Sequence, residues 1–518
     1  MPIDKVAYKM LENVVGEKYI SENEAVMMAY SRIMGQVGDI LGGVVKPDAV
    51  TLPGSTLEVR DVIRICNRYK IPFVAFSTGL MPAAFPDAPG MLLMDLKRMN
   101  RIIRIDAKNR IALVEPGVTH AQLQSEVMKK GLFSVVPSSG PQCSVVASTT
   151  SWHGHSFHGN ICGYNPRNLC AYEWVTPIGE VVKVGSAGVG AGWFSAEGPG
   201  PSLRGLRGYT GPASGLGVVT KAAVRLYPWP GPRVLQARGT SPEYEIELPE
   251  DKFKLLLFKM PSWKKLADAM YEIGKNEIGM CVSKSLGQHL VTEFTASSEE
   301  FWKEWASGYF QEQLKLLLII FLSAWSKEEL DYQEKVVREI IAETGGEEAS
   351  RKVYEKTKNV MLGWAVRCWT TNRSWRPTAF MSMKGGTESI DRCVQCGAKV
   401  LDLKKPFFER GLLMDDGDNV WICAFEWGRY ANVESIFHYD VHDREQVRAV
   451  GEMLKVSMQD DIERRLHASM HLHGDEAQKS LGPLFTNFHI YLMKIKKALD
   501  PNLISNPRRY IVPEESST

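Results

Sequence analysis

The feature that most constrains the fold is a change, along the chain, in the pattern of strand-like and helical segments. Between about residues 44 and 225, short β-branched apolar runs surround one clear helix, STLEVRDVIRICNRYK. From about 236 to 480, long helical patterns alternate with isolated strand-like runs such as LLLFKM, HLVTEF and VWICAFEW. Single strands separated by helices favour an open sheet covered by helices. The sequence therefore predicts two domains that each combine helices and strands.

The same changes in the pattern of segments predict the domain boundaries. Residues 1–40 carry apolar positions three and four apart, and we expect them to form an N-terminal helical segment appended to the rest. The first domain is predicted to cover 41–235, because a strand and then the Pro-rich break YPWPGP follow one another at its end. The second domain is predicted to cover 236–480. Residues 481–518 form a C-terminal tail that is expected to return to the first domain.

Charge and hydropathy exclude several classes of protein. The chain has 518 residues with Lys+Arg 62 and Asp+Glu 60, a formal charge of +2, so no global field would attract nucleic acid. The longest apolar stretch, Leu316 to Leu322, is far shorter than the ~20 residues that span a bilayer. The first residues lack an apolar signal core. We therefore expect a soluble cytoplasmic protein without a transmembrane segment.

The cysteines do not form a disulfide framework. Nine cysteines are an odd number spread thinly over the chain, which predicts reduced thiols. Only Cys393 and Cys396 have the spacing of metal ligands, and one such pair cannot supply the four thiolates of an iron–sulfur cluster. The two lie in a helical pattern, so helix packing and a redox or metal role both stay open.

Turns rich in small residues carry the strongest signal of a ligand site. Ser77, Thr78 and Gly79 follow an apolar strand, where backbone N–H groups can surround a phosphate. Further along, VEPGVTHAQL ends a strand and offers Thr119 as a helix cap. The run VVPSSGPQCSVVASTTSWHG is too polar and too small to build a core, and it can wrap a polar ligand through its backbone.

The order of these segments resembles the PCMH-type FAD-binding fold of the vanillyl-alcohol oxidase and p-cresol methylhydroxylase superfamily. This superfamily also holds the glycolate oxidase D-subunit and FAD-linked D-lactate dehydrogenases. The segments that carry the resemblance are IPFVAFSTGL, MLLMDLKRMN, ALVEPGVTHAQL, SGLGVVTKAAVRLYP and ALDPNLISNPRRY. The resemblance implies an α+β protein, in which an α/β cap (substrate) domain closes over the flavin of a PCMH-type FAD-binding domain.

The resemblance also implies where FAD binds. No residue from Phe76 to Leu80 is the His that relatives with a tethered flavin carry in this loop, so that mode of attachment is absent and we expect the FAD to be non-covalent. A tether from a His or Tyr of the cap domain stays open as the alternative. Val146 and Ala147 replace a Gly pair of the family, and the pocket is expected to be narrower there. The positions expected at the cofactor are Phe76, Ser77, Thr78, Gly79, Leu80, Pro137, Ser138, Ser144, Val145, Ser148, Gly154, Val218, Val219, Asn506 and Arg508.

Histidines are the candidate bases, because imidazole takes up protons near neutral pH. His438 and His442 would share one face if their segment were helical. The hydroxy-acid branch of the family binds a metal through HxGDGNxH and EHG motifs. Here Arg429 replaces the first His and Leu472 the Glu, so we expect no metal. The residues expected to be catalytic are His438, His471, His473 and Arg429.

By resemblance, the chain is expected to be an FAD-linked dehydrogenase that oxidises the CH–OH group of an alcohol or 2-hydroxy acid by hydride transfer to the flavin. Because the chain offers neither an iron–sulfur cluster nor a second dinucleotide motif, the electrons are expected to pass to an iron–sulfur subunit or an electron-transfer flavoprotein. Two alternatives stay open. One is a phenolic substrate, for which Tyr430, Tyr439 and Arg429 are available, and the other is a non-catalytic electron-relay subunit.

Overall fold

The computed structural model of the protein describes most of the chain. The described residues are 3–31, 45–79, 84–86, 88–138, 140–151, 154–185, 215–240, 242–366, 379–414, 417–440, 442–465 and 482–507. Within these ranges, no helix is both long and apolar enough to cross a lipid bilayer.

The first sheet joins the beginning of the chain to its end. Its strands follow in the order β1 (Ile20–Ser21), β2 (Ala49–Thr51), β4 (Leu92–Asp95) and β3 (Phe73–Phe76). β2, β4 and β3 are parallel, and β1 pairs antiparallel with β2. A parallel bridge between Phe73 and Ser505 adds the C-terminal tail beyond β3. The edge of this sheet is therefore built from segments that are more than 400 residues apart in sequence.

The N-terminal segment is not an appendage, contrary to the sequence prediction. Helix α1 (Lys5–Val15) buries Ala7, Leu11 and Val15 in the same core as α3 (Thr56–Tyr69), and α2 (Glu24–Ala29) follows β1. The apolar positions of α1, spaced three and four apart, find their partner in the first domain rather than in solvent. The described part of the segment, residues 3–31, is therefore an integral part of this domain.

The second sheet completes the first domain. Its order is β5 (Ile102–Asp106), β6 (Ile111–Val114), β10 (Val218–Pro228), β8 (Leu169–Val175) and β9 (Val181–Val184), while β7 (Leu132–Ser134) pairs with the end of β10. Three helices accompany it: α4 (His120–Met128), α5 (Val145–Thr150) and α6 (Gly159–Cys162). Thr119 caps α4 as predicted, and it forms a reciprocal capping box with Gln122.

The cap domain contains a larger antiparallel sheet. A hairpin of β11 (Gln236–Thr240) and β12 (Glu243–Glu247) precedes it. The described strands of the large sheet follow in the order β16 (Glu347–Glu348), β13 (Phe253–Lys259), β15 (Leu317–Ser323), β14 (Cys281–Lys284), β18 (Val420–Phe425), β19 (Tyr430–Tyr439) and β17 (Ala379–Glu388). The α+β class predicted from the sequence is confirmed.

Helices cover both faces of this large sheet. One face packs against α7 (Trp263–Lys275), α11 (Lys327–Thr344), α13 (Ile390–Glu409) and α14 (Arg444–Arg464). The other face, which we call the inner face, packs against α8 (Gly287–Phe294), α9 (Ser298–Ala306), α10 (Tyr309–Gln313), α12 (Arg351–Val366) and residues of the first domain, which is called the FAD domain below after the cofactor that its sequence predicts. A last helix, α15 (Phe488–Leu499), lies in the tail.

The structure corrects one sequence prediction in the cap domain and decides between two alternatives that the sequence left open. HLVTEF, predicted as a strand, lies in α8, where Leu290, Val291 and Phe294 are buried at helical spacing. Its short apolar run fits either structure, and packing against the inner face decides for the helix. Cys393 and Cys396 are fully buried in α13, and burial raises the pKa of the Cys393 thiol well above its usual value. Their placement supports helix packing.

Candidate cofactor and substrate site

The turn after β3 lies against the start of α5. The backbone N–H of Ser144 donates to Thr78 Oγ1 at 3.2 Å, and Ser144 Oγ donates to the carbonyl of Pro116 at 2.6 Å. Ser144 also caps α5, because its Oγ accepts from the backbone N–H of Ala147. Three turns that the sequence analysis singled out therefore meet at Ser144.

The polar run before α6 belongs to the same framework. The backbone N–H of Ser138 donates to the carbonyl of His155 at 2.6 Å, and Pro137 bridges to Ser156. The carbonyl of Gly154 accepts from both the backbone and the side chain of Asn165, and an added Cβ at this glycine would lie 2.6 Å from Asn165 Nδ2. This crowding explains why the position is a glycine.

The tail contacts the start of β3, the strand that leads into the turn at Thr78. The backbone N–H of Asn506 donates to the carbonyl of Phe73 at 2.7 Å, and Gly217, just before Val218, donates to Ser505 Oγ at 2.9 Å. A buried ion pair, Lys496 Nζ to Asp500 Oδ2 at 2.6 Å, holds this part of the tail. The start of β3, the start of β10 and the tail are thus neighbours.

Among the predicted cofactor positions that the structure describes, Ser144 contacts Thr78, and Ser138 contacts the residue after Gly154. Asn506 contacts the start of β3. Leu80, Arg508, His471 and His473 lie outside the described residues. The expected narrowing at Val146 is not supported, because its side chain is buried in the core of the second sheet rather than in a turn. Val146 packs beside Val145 and Val118 in this core, while Ala147, the other residue of the replaced pair, is half-buried.

These turns have the chemistry that FAD requires. The half-buried Ser77 and the exposed Thr78 offer hydroxyl groups next to the backbone of a tight turn, in which Gly79 has a φ of +66°. Hydroxyl and backbone donors of this kind suit a pyrophosphate. The donor set of this chain therefore fits the phosphate part of the cofactor.

Replacing Ser144 should weaken FAD binding. Ser144→Ala removes the cap of α5 and the contact with Pro116, and we expect a loss of about 1 kcal/mol in the free energy of unfolding. The turn at Thr78 accepts a hydrogen bond from the backbone of the same residue. A less stable start of α5 should therefore also disturb this turn, and the Kd for FAD should rise about 5-fold. Ser297→Ala is the matched control, since Ser297 caps α9 in the cap domain in the same way. Fluorescence titration with FAD should show no change in the control, and an equal change in both variants would contradict the assignment.

A buried imidazole close to these turns predicts sensitivity to acid. His120 is 1% exposed, and burial lowers its pKa to about 3. Below the unfolded value of ~6.5 the unfolded chain binds a proton that the folded chain does not, so stability falls as the pH falls. Between pH 7 and pH 5 this one group should cost about 2 kcal/mol.

Urea unfolding at the two pH values tests this expectation. His120→Phe should lose about 2 kcal/mol less than the unaltered protein between pH 7 and pH 5. The exposed His442 supplies the control variant His442→Phe. If His120→Phe has the same pH dependence as the unaltered protein, His120 is not the cause.

The inner face of the cap sheet carries an unusual row of polar side chains. Across four neighbouring strands, backbone pairing places Ser283, Cys423, Asn432 and Thr387 side by side. Ser283, Cys423 and Asn432 are fully buried. Thr387 Oγ1 lies 3.3 Å from Nε2 of His155, which belongs to the FAD domain. The polar row therefore faces the segment that follows the cofactor turns.

Aromatic rings enclose this contact. The ring of His155 stacks on Phe425 with centroids 5.6 Å apart, and Tyr164 lies 6.0 Å from His155. Nearby, Phe157 stacks on Trp364 at 5.0 Å. Since His155, Phe157 and Tyr164 come from the FAD domain and the others from the cap, the domains meet through a largely aromatic contact around a few polar atoms.

The predicted catalytic residues do not form one group. Arg429 is exposed in the turn between β18 and β19, while His438 is buried near the far end of β19. Nine residues of extended chain separate them by about 30 Å. His438 also lies in a strand, so it does not share a helical face with His442. The expectation that Arg429 and His438 act together is therefore wrong.

His155 is a residue that the sequence analysis did not select. Its segment, GHSFHGN, signals a histidine-rich turn, yet its contact with Thr387 spans 232 positions in sequence. The set of residues named for a phenolic substrate is not assembled either. Tyr430 packs against the inner face, whereas Tyr439 is buried in the core on the other face of the sheet.

Comparisons with known proteins agree with this picture. Residues 47–185 match the family described as FAD binding domain. The chain is 30% identical over 235 residues to the 4-cresol dehydrogenase [hydroxylating] flavoprotein subunit of Pseudomonas putida. The aligned region covers 43% of each of the two chains. It is also 30% identical over 186 residues to the glycolate oxidase subunit GlcD of Bacillus subtilis, with 36% of this chain and 38% of the relative covered. These matches span less than half the length of either relative.

The whole fold has solved counterparts. Substrate-bound p-cresol methylhydroxylase superimposes with a TM-score of 0.73 and 18% sequence identity, covering 97% of this chain and 95% of that one. At this identity the likeness establishes the fold alone. The superposition covers nearly the whole chain, well beyond the 47–185 segment that the family model matches.

Proposed function

We propose that the chain, which shares the fold of p-cresol methylhydroxylase and matches an FAD binding domain over residues 47–185, is a flavoprotein dehydrogenase that oxidises an alcohol or a 2-hydroxy acid. Bound FAD supplies the two-electron oxidant for such a reaction. The observation that carries the proposal is the polar row on the inner face of the cap, which meets His155 just beyond the cofactor turns.

In this proposal His155 accepts the proton of the substrate hydroxyl. Imidazole is a suitable base near neutral pH, and Thr387 holds its Nε2 at 3.3 Å. Phe425 and Tyr164 pack around the ring and exclude water from it. The base is thus supplied by the FAD domain, while the cap supplies its orientation.

We further propose that the electrons pass to a separate protein. Two of the relatives that match this chain are named as subunits. Among the described cysteines, most are buried and scattered over both domains, which does not suit a cluster that would relay electrons. An iron–sulfur subunit or an electron-transfer flavoprotein are the two acceptors of the required chemistry.

Anaerobic reduction of the FAD-loaded protein tests the proposal. A panel of primary alcohols, secondary alcohols and 2-hydroxy acids is mixed with the protein, and bleaching of the flavin absorbance is followed. At least one compound should reduce the flavin, and reoxidation by an artificial acceptor should be faster than reoxidation by air. Bleaching by dithionite but by no compound of the panel would support an electron-relay subunit instead. Reoxidation by air as fast as turnover would identify a self-sufficient oxidase.

A further inference from the structure

The turn between β18 and β19 has a strained backbone. Two consecutive residues other than glycine, Glu426 and Trp427, have φ angles of 47° and 60°, and Gly428 follows with 72°. In this left-handed region a Cβ atom lies too close to a carbonyl oxygen, so each of the first two residues raises the energy of the turn. Such a conformation persists only where the surrounding structure holds it in place.

The groups that hold the turn belong to the FAD domain. The backbone N–H of Glu426 donates to the carbonyl of Gly159 at 2.9 Å. The N–H of Trp427 donates to the carbonyl of Asn160 at 2.7 Å. Arg167 binds the carboxylate of Glu426 through two nitrogens, with Nη2 2.7 Å from Oε2. Because these contacts all cross the domain boundary, the strained conformation depends on the closed arrangement of the domains.

The same turn connects the two strands that carry the rings around His155. Phe425, the last residue of β18, stacks on the imidazole of His155. Tyr430, the first residue of β19, packs edge-on against Phe425 with centroids 5.5 Å apart, and its hydroxyl donates to Glu426 Oε1 at 3.1 Å. A movement of the turn away from α6 would therefore also move the rings that cover His155.

We propose that this turn is a conformational latch, which opens from α6 without unfolding of either domain and thereby uncovers His155. Release from α6 lets Glu426 and Trp427 return to ordinary backbone angles, and this relaxation offsets part of the cost of the broken hydrogen bonds. In the closed state His155 is 7% exposed, and the open state gives a small molecule access to it. The inference goes beyond the proposed function, because it does not depend on which compound is oxidised.

Hydrogen exchange of the FAD-loaded protein measures the opening. The amide protons of Glu426 and Trp427 should exchange about 100-fold faster than those of the buried strand β15, whose exchange requires global unfolding. Arg167→Met removes the ion pair from the closed state and should speed exchange at the turn about 5-fold.

Ile340→Val is the matched control for Arg167→Met. Ile340 is buried in α11, on the face of the cap sheet opposite to the FAD domain, and loss of one methyl group should speed exchange in β15 about 5-fold. Exchange at the turn should not change in this variant, since α11 stays folded when the turn opens. If the turn exchanged only through global unfolding, the control would speed both regions equally.

Trp427→Gly tests the strain itself. Glycine adopts the left-handed region without a clash, so the closed turn should become more stable, and the amide of Glu426 should exchange about 3-fold more slowly. A turn without strain would respond in the opposite direction, because the variant loses a half-buried tryptophan side chain.

Modification of histidines by diethyl pyrocarbonate tests whether the opening uncovers His155. Mass spectrometry locates the modified residues, and His155 should react about 5-fold faster in Arg167→Met than in the unaltered protein, as the amides of the turn do. The exposed His442 is the internal control, and its rate should be the same in both proteins.

Several results would overturn the inference. They are equal exchange rates for the turn and β15, faster exchange at the turn in Ile340→Val, faster exchange in Trp427→Gly, or no change at the turn or at His155 in Arg167→Met. None of these measurements uses a substrate. The proposed dehydrogenase function can therefore fail while the latch is confirmed, and the reverse also holds.

Discussion

Lys496→Met should lower the free energy of unfolding by about 3–5 kcal/mol, the largest effect that we expect from a single substitution. Lys496 is 1% exposed and Asp500 is fully buried, so removing the lysine leaves a carboxylate inside the protein without its counter-charge. The same ammonium group donates to the carbonyls of Gly215 and Ser505. Burial lowers the pKa of Lys496, but Asp500 opposes that shift by favouring the charged ammonium.

Lys496→Met should also weaken the binding of FAD. Ser505 and its neighbour Asn506 tie the tail to β3 and to the start of β10, so a detached tail should raise the Kd for FAD as well. Lys494→Met is the matched control, since Lys494 is exposed on the same helix. Urea unfolding and FAD titration should leave the control within about 0.5 kcal/mol of the unaltered protein. A comparable loss in both variants would mean that the ion pair does not hold the tail.

Gly159→Ala should cost about 3 kcal/mol, the second largest effect. An added Cβ at Gly159 would overlap ring carbons Cδ1 and Cε1 of Phe425, whose side chain is fully buried. The backbone N–H of Glu426 also donates to the carbonyl of Gly159 at 2.9 Å, so the two segments cannot separate without losing this bond. The ring that stacks on His155 would have to move.

Gly451→Ala is the control for this substitution. Gly451 lies in α14 with nothing within 4 Å of an added Cβ, and alanine there should raise stability by about 0.5–1 kcal/mol. Calorimetric unfolding of the two variants is the measurement. If Gly159→Ala unfolds at the same temperature as the unaltered protein, the domain contact at Phe425 is looser than the structure indicates.

The local parts of the fold could be predicted from sequence because their causes are local. Thr119 caps a helix through a residue three positions away, and the strand before Ser77 is a short β-branched run. The same reasoning misplaced HLVTEF, because only the sheet beneath it decides between helix and strand. The same reasoning also predicted that the N-terminal segment is separate from the first domain. It could not show that α1 packs against a helix about 50 residues further along the chain.

The candidate site also has a part that local sequence predicts and a part that depends on contacts between distant residues. The turns proposed to bind the cofactor are continuous segments, so the sequence alone could single them out as candidates. The substrate side depends on contacts between distant positions, such as His155 with Thr387. The register of β17, β18 and β19 brings Asn432 into the polar row, and a one-residue shift would turn it to the other face. No pattern of single residues in the sequence carries that information.

The most direct test of the account is whether the purified protein carries FAD that acid releases. The turns at Thr78 and Ser144 hold the cofactor in this account, and the first turn lacks a histidine for a covalent bond. We predict a yellow protein whose flavin, identified as FAD by chromatography, remains in the supernatant after acid precipitation. A colourless protein that takes up no FAD on reconstitution would contradict the central claim, and flavin that stays with the precipitate would contradict the non-covalent mode.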